Sequence, residues 1–421
     1  MFSYQKLSPN FHLITNSTPD RYKVEFNLQF TAGGSFFEKS GQRGVAHLLE
    51  HCILGRTKDK DFYQLKDYLF EKNIYNNAAT GVLGMYITLS GHRNDAKEML
   101  DLILEFALKP TLSEDVLNRE REIVLREISE RRGDPNYRLY YQMLNKVLEP
   151  GSKYLWEVLG EVEDVKKATL DTFYDLHRGM LERSSIILTM SGGGLEDNDF
   201  VETITPFLGI IPNTEKTLAI DYDPDNSFKK FKYETVVSEL AHEHAELSIY
   251  IPCPVTIKNR PERYFLQSLL LKLPEGVLYN RLRNELGWIY GLQGSFDRST
   301  QTLNLDMSCE IQYISKIVDE VKKLFSDFET VYQEDKARIL KDMTVKKQEM
   351  AQDEPQALVD FLVENMTEFG ETQNFSDYIK ELIKVDTNRI KNLYHDIQKN
   401  LSEIKVVVTS NKAEVESISI D

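Results

Sequence analysis

A chain of 421 residues exceeds what one hydrophobic core ordinarily organises, so two or three domains are expected. Hydrophobic residues at 41% and charged residues at 28% describe an ordinary globular chain and exclude a disordered one. The net charge of −16 argues against a nucleic-acid backbone as partner and is compatible with basic or peptidic ligands, or with solubility alone.

The chain opens Met-Phe-Ser-Tyr-Gln-Lys-Leu-Ser-Pro, with no basic segment leading into an apolar one, so no signal peptide is expected. From Tyr22 to Thr31 apolar and polar residues alternate, which predicts a half-buried strand. Gly33-Gly34-Ser35 turns the chain into a helix around His47. A second helix spans Asp61 to Lys72, the short polar stretch 76–80 leads to an alternating run at 85–89, and another helix covers 94–108. Ser113 caps a long helix with Glu114 and Asp115 in its first turn, and Gly133-Asp134-Pro135 ends it. Helices at 137–148 and 170–183 and a strand at 186–190 follow.

Polar, Pro-containing stretches at 212–216 and 221–226 predict an exposed connection. The order of elements then partly repeats: a strand at 246–251, helices at 261–273 and 276–286, alternating strands to Cys309, helices at 315–332, 335–352, 355–368 and 387–400, and a strand at 403–409. We therefore expect an N-terminal domain over 1–211, a linker over 212–232 and a similar domain over 233–421. Three cysteines, Cys52, Cys253 and Cys309, form no disulfide framework and point to a reducing compartment. No apolar run is long enough to span a bilayer, so a cytoplasmic, membrane-free protein is expected.

Gly44 to Leu54 carries the chemistry. His47 and His51 stand one helical turn apart with Glu50 in the same sector, while Val45, Leu48, Leu49 and Cys52 fall on the other side. Two imidazoles so placed can chelate one metal ion; the plain alternative is a surface or satisfied core pair on an amphipathic helix. A catalytic zinc takes three protein ligands, so a third is needed. On the long helix, Glu120, Val124, Glu127 and Arg131 share one face, which by itself reads as a solvated charged helix. His242 and His244 alternate on a strand without a further ligand nearby and read as structural or solvent-facing. Cys52 reads as packing, and Gly192-Gly193-Gly194 lacks the Lys and Ser/Thr of a phosphate loop and reads as a flexible turn.

The order His47-Leu-Leu-Glu50-His51 inverts the His-Glu-x-x-His helix, and with Glu127 the chain resembles the pitrilysin-type (inverzincin) zinc metallopeptidases. This family includes insulin-degrading enzyme and the mitochondrial processing peptidase. Ala32-Gly33-Gly34-Ser35-Phe36, Gly44-Val45-Ala46 and Asn77-Ala78-Ala79-Thr80 match its flanks. Arg283 and Tyr290, within the run from Glu275 to Gly291, match its C-terminal signature. The resemblance covers nearly the whole chain. It implies an α+β fold of two similar domains, each a mostly antiparallel sheet with helices packed on one face, together forming a clamshell half. It implies one Zn2+ per chain on His47, His51 and Glu127, with Glu50 as general base and Glu120 supporting the ligands. By the same resemblance Asn77 and Ala78 line a sheet edge that pairs with the peptide substrate, and Arg283 and Tyr290 reach the substrate. Taken alone, Arg283 is a surface charge and Tyr290 a core aromatic. The length fits the short-subunit branch, in which two chains enclose a chamber; a homodimer is expected, with a heterodimer as the alternative. The implied activity is cleavage of short or unfolded peptides, against two alternatives: a dedicated leader- or precursor-peptide maturation protease, and a non-catalytic peptide-binding subunit.

Overall fold

The computed structural model describes residues 2–196, 199–212, 233–237, 244–271, 276–298, 300–370 and 372–411. The expected linker beyond Pro212, and His242, lie outside the described residues.

In the first half, β1 (Phe2–Ser8), β2 (Phe11–Ser17) and β3 (Lys23–Phe30) precede the helices α1 (Val45–Ile53) and α2 (Phe62–Glu71). Then come β4 (Tyr75–Thr80), β5 (Met85–His92), α3 (Ala96–Leu108), α4 (Glu114–Gly133) and α5 (Pro135–Val147). The half closes with α6 (Val162–Lys167), α7 (Leu170–Arg183), β6 (Ile186–Gly192) and α8 (Phe200–Leu208). Local chemistry sets the starts: Asp61 and Thr169 form capping boxes on α2 and α7, and Asp134 caps α5 ahead of Pro135. The strands assemble in the order β1-β2-β6-β3-β5-β4, with β2 and β6 parallel and every other pair antiparallel. The alternation seen in β3 buries Val24, Phe26, Leu28 and Phe30, and α3 packs on β3 and β5.

The second half runs β7 (Tyr233–Val237), β8 (Ala245–Pro252), α9 (Arg260–Leu271), β9 (Ile289–Asp297), β10 (Thr302–Cys309) and α10 (Ile314–Leu324). It ends with α11 (Glu334–Ala351), α12 (Pro355–Glu364), α13 (Phe375–Ile383), α14 (Thr387–Lys399) and β11 (Lys405–Ser410). The strand order is β7-β11-β8-β10-β9, with β7 and β11 parallel and the rest antiparallel. This is the order and sense of β2-β6-β3-β5-β4, strand for strand. The duplication suggested by element order is therefore a duplication of topology, with β1 added at one edge of the first sheet.

The compact units are not contiguous in sequence. One comprises Met1–Arg132, Trp156–Ile220 and Glu354–Gly370; the other comprises Gly133–Leu155, Asp221–Asp353 and Glu371–Asp421. Helix α12 covers the outer face of β2 and β6, where Val359, Leu362 and Met366 bury Ile14 and Ile187. Helix α5 belongs to the second unit and packs on the equivalent pair, β7 and β11. Each of these helices follows the long helix of its own half in sequence. Each sheet thus has helices on its core face and one helix over part of the other.

Several elements differ from expectation. The helix expected over 315–332 breaks after Leu324, and Asp327 caps a separate turn at Phe328–Val331. The stretch 276–286 is a helical turn that widens into a π-helix over Asn280–Glu285. The glycines 192–194 form a locked turn: Gly192 and Gly194 have positive φ, and a Cβ at Gly193 would overlap the Arg21 carbonyl. Among the described residues no helix is long and apolar enough to cross a membrane.

Candidate metal centre

The site is built on α1. Its first turn begins at Gly44, whose φ of +90° lies in the left-handed region. Gly160, with φ +76°, approaches so closely that a Cβ there would overlap the Gly44 Cα. The free N–H groups at this end are satisfied from a distance: the Glu38 carboxylate accepts from Gly44 N at 3.0 Å and from Ala46 N at 2.7 Å. Burial pushes the Glu38 pKa up to about 7, against the opposing pull of those two bonds. With Val45, Leu48, Leu49 and Cys52 buried, His47, Glu50 and His51 are presented together toward α4.

The ligand atoms converge. Glu127 Oε2 lies 3.7 Å from His47 Nε2 and 3.7 Å from His51 Nε2, and one donor atom from each residue falls within 4.8 Å of the others. The 3.7 Å separations are too long for hydrogen bonds. They approach the roughly 3.3 Å separation of ligands held about 2.0–2.1 Å from one tetrahedral zinc. The donor set of two imidazoles and a carboxylate fits zinc, and among the described residues no other such group occurs. Burial lowers the His47 pKa to about 4, with His51 adding to the effect, so this imidazole is neutral and available as a ligand at neutral pH.

Neighbours orient these groups. His51 Nδ1 lies 3.2 Å from Glu120 Oε2, which leaves Nε2 directed at Glu127. Burial pulls the His51 pKa down, but the Glu120 bond and the surrounding carboxylates outweigh it and the net shift is upward. Glu120 accepts a further bond from Arg119 Nε at 3.1 Å, and the Arg119 guanidinium sits 3.3 Å over the Phe62 ring. Glu50 is not among the converging three. It lies 3.9 Å from His47 Nε2 and accepts from Thr80 Oγ1 at 3.1 Å. Burial pushes its pKa up to about 7, a value suited to moving protons near neutrality.

Thr80 ends β4, whose other residues include Asn77, exposed, and Ala78, buried. Strand β4 pairs only with β5 among the described residues and so presents a free edge beside α1. Arg283 and Tyr290 lie in the second unit, near one another: the Arg283 guanidinium is 5.7 Å from the Tyr290 ring centroid. Sequence reasoning did not find Glu38, Thr80 or Arg119.

The family description "Insulinase (Peptidase family M16)" matches residues 13–148, and "Peptidase M16 inactive domain" matches residues 167–341. The chain belongs to this pitrilysin-type peptidase family. It is 22% identical over 336 residues to an uncharacterized zinc protease of Rickettsia felis, covering 78% of this chain and 77% of that one. It is 20% identical over 216 residues to the mitochondrial-processing peptidase subunit beta of Saccharomyces cerevisiae, covering 51% of this chain and 46% of that one. In fold it is similar to a peptidase M16 inactive domain from Pseudomonas fluorescens, with a TM-score of 0.74, 12% identity and coverage of 100% and 99%. Helix α9 occupies the place in the second topology that α1 holds in the first, and it contains no histidine.

Proposed function

We propose that this chain is a zinc-dependent endopeptidase or oligopeptidase acting on short or unfolded peptides in a closed chamber. The observation that carries the reading is the convergence of His47, His51 and Glu127 with a buried, non-ligating Glu50 beside them. His47, His51 and Glu127 hold the metal; zinc, when bound, polarises the peptide carbonyl and acidifies water. Glu50 takes a proton from the attacking water and passes it to the leaving amine, while Thr80 holds its carboxylate. Glu120 fixes the His51 tautomer. The free edge of β4 at Asn77 and Ala78 pairs with the extended peptide through main-chain hydrogen bonds, which give affinity with little sequence selectivity. Arg283 and Tyr290 supply a guanidinium for a substrate carbonyl and a phenol for the developing oxyanion. We assign the active form to a homodimer in the cytoplasm; the buried, unpaired thiols Cys52, Cys253 and Cys309 suit a reducing compartment.

A quenched-fluorescent peptide panel tests the reading. The wild-type protein cleaves, and chelation abolishes cleavage. Glu50→Gln keeps its zinc and loses about 10²–10⁴-fold in kcat, the usual worth of a positioned general base. Continued turnover by that variant at the wild-type rate rules the mechanism out. A precursor-processing role is the second reading, favoured by the similarity to a mitochondrial-processing peptidase subunit. It predicts one efficient cleavage site near a substrate N-terminus instead of many.

A further inference from the structure

We infer that His244 is a positioning residue for Tyr290, holding the phenol ring by stacking. The inference rests on the peptidase reading, which gives Tyr290 its contact with substrate.

Strands β8, β10 and β9 lie side by side, and at one end Cys309 pairs with Ala245 on one side and Ile289 on the other. The register between β10 and β9 slips there: Ser308 faces Gly291 and Cys309 faces Ile289, so Tyr290 is the extra residue of a β-bulge. A bulged residue leaves the pleat and its side chain is re-aimed, free of the cross-strand neighbours that fix a regular position. Tyr290 is accordingly 45% exposed. A phenol in that setting needs another surface to hold it.

His244, the residue before β8, supplies that surface. Its ring centroid is 3.8 Å from that of Tyr290, with an interplanar angle of 22°. Its buried Nδ1 has no hydrogen-bond partner among the described residues, so the stack is the contact that accounts for the imidazole. Glu310, the residue after β10, accepts the Tyr290 hydroxyl at 3.3 Å, a long bond that tethers the ring's far end weakly. Arg283 Nη1 donates to the Ile289 carbonyl at 2.8 Å and so fixes the backbone just before the bulge. The stacked imidazole face, 3.8 Å away, sets the plane of the ring, while the Arg283 guanidinium stands farther off at 5.7 Å from the ring centroid.

Kinetics and spectroscopy on the full chain test this together. His244→Ala lowers kcat about ten-fold by reducing the population with a correctly aimed phenol, with KM and zinc content unchanged. His244→Phe, which keeps an aromatic face, restores kcat to within about three-fold of wild type. With Tyr290 already replaced by alanine, His244→Ala has no additional effect. In protein labelled with 13C-tyrosine, the Tyr290 resonances, identified by their loss in Tyr290→Phe, shift in His244→Ala and return toward their place in His244→Phe. An unchanged kcat in His244→Ala overturns the inference, as does an equal loss when Tyr290 is absent or a Tyr290 signal that does not move. Failure of the peptidase reading looks different: full activity in Glu50→Gln, or no cleavage by wild type, removes that reading and the inference with it, whatever the resonances do.

Discussion

The Glu38 carboxylate is 2% exposed and accepts the N–H groups of Gly44 and Ala46, so the helix bearing both histidines starts on a buried acid. Burial raises its pKa from 4.5 to about 7 in the folded protein. Between those values the folded chain holds a proton that the unfolded chain has released. Its contribution to stability is therefore complete below pH 4.5 and is lost as pH rises to about 7. At about 1.4 kcal/mol per unit, the loss is on the order of 3 kcal/mol. Denaturant titrations at pH 5 and pH 8 should show wild type losing roughly 2–3 kcal/mol more across the interval than Glu38→Gln. Parallel pH profiles for the two proteins would show that Glu38 titrates normally. The contrast between Glu38 and the ligands also marks what a sequence displays. His47, Glu50 and His51 are legible because helical periodicity places them on one face. Glu38, Thr80 and Arg119 act through contacts that folding creates, and no local pattern announces them.

At the scale of elements, α1 is held by the approach of the loop at Gly160 to its first turn. Alanine at Gly160 combines an unfavourable left-handed φ with overlap against Gly44 Cα, and the strain alone is worth about 1–3 kcal/mol. Gly160→Ala should lower the thermal midpoint and, because the displaced turn carries His47, weaken zinc retention. Gly151→Ala is the control: its Cβ meets nothing within 4 Å, and the midpoint should stay within about 2 °C of wild type. Equal behaviour of the two variants, measured by calorimetry and metal analysis, would remove the steric argument. Elements with a strong period are legible, as β3 and α4 show, and the strand at 186–190 is legible as a short apolar run without alternation. Strand β2 is not, because it is buried on both faces and His12, Thr15 and Asn16 interrupt its apolar run; β4 reads from its own short polar residues as a connection, and only the family resemblance implies its sheet edge.

For the whole molecule, the matching strand orders and the crossed membership of α5 and α12 bear on how the chain can be divided. The sequence suggests domains at 1–211 and 233–421, yet the outer face of β2 and β6 is sealed by Val359, Leu362 and Met366, which lie far beyond that boundary. A fragment of residues 1–211 therefore exposes Ile14 and Ile187, both fully buried in the intact chain. Leaving such a patch open favours loose packing or association over a unique native state. The fragment alone should bind a hydrophobic dye, melt without a cooperative transition and retain zinc poorly. Adding the fragment 212–421 should restore a cooperative melt, because it returns α12 to the first sheet. The intact chain carrying Leu362→Ala gives the milder version: a loss of about 2–5 kcal/mol from the vacated core position, with the metal-binding stoichiometry retained at low temperature. Cooperative, dye-free melting of 1–211 alone would mean that the first sheet needs no cover from α12 and that the halves are independent folding units.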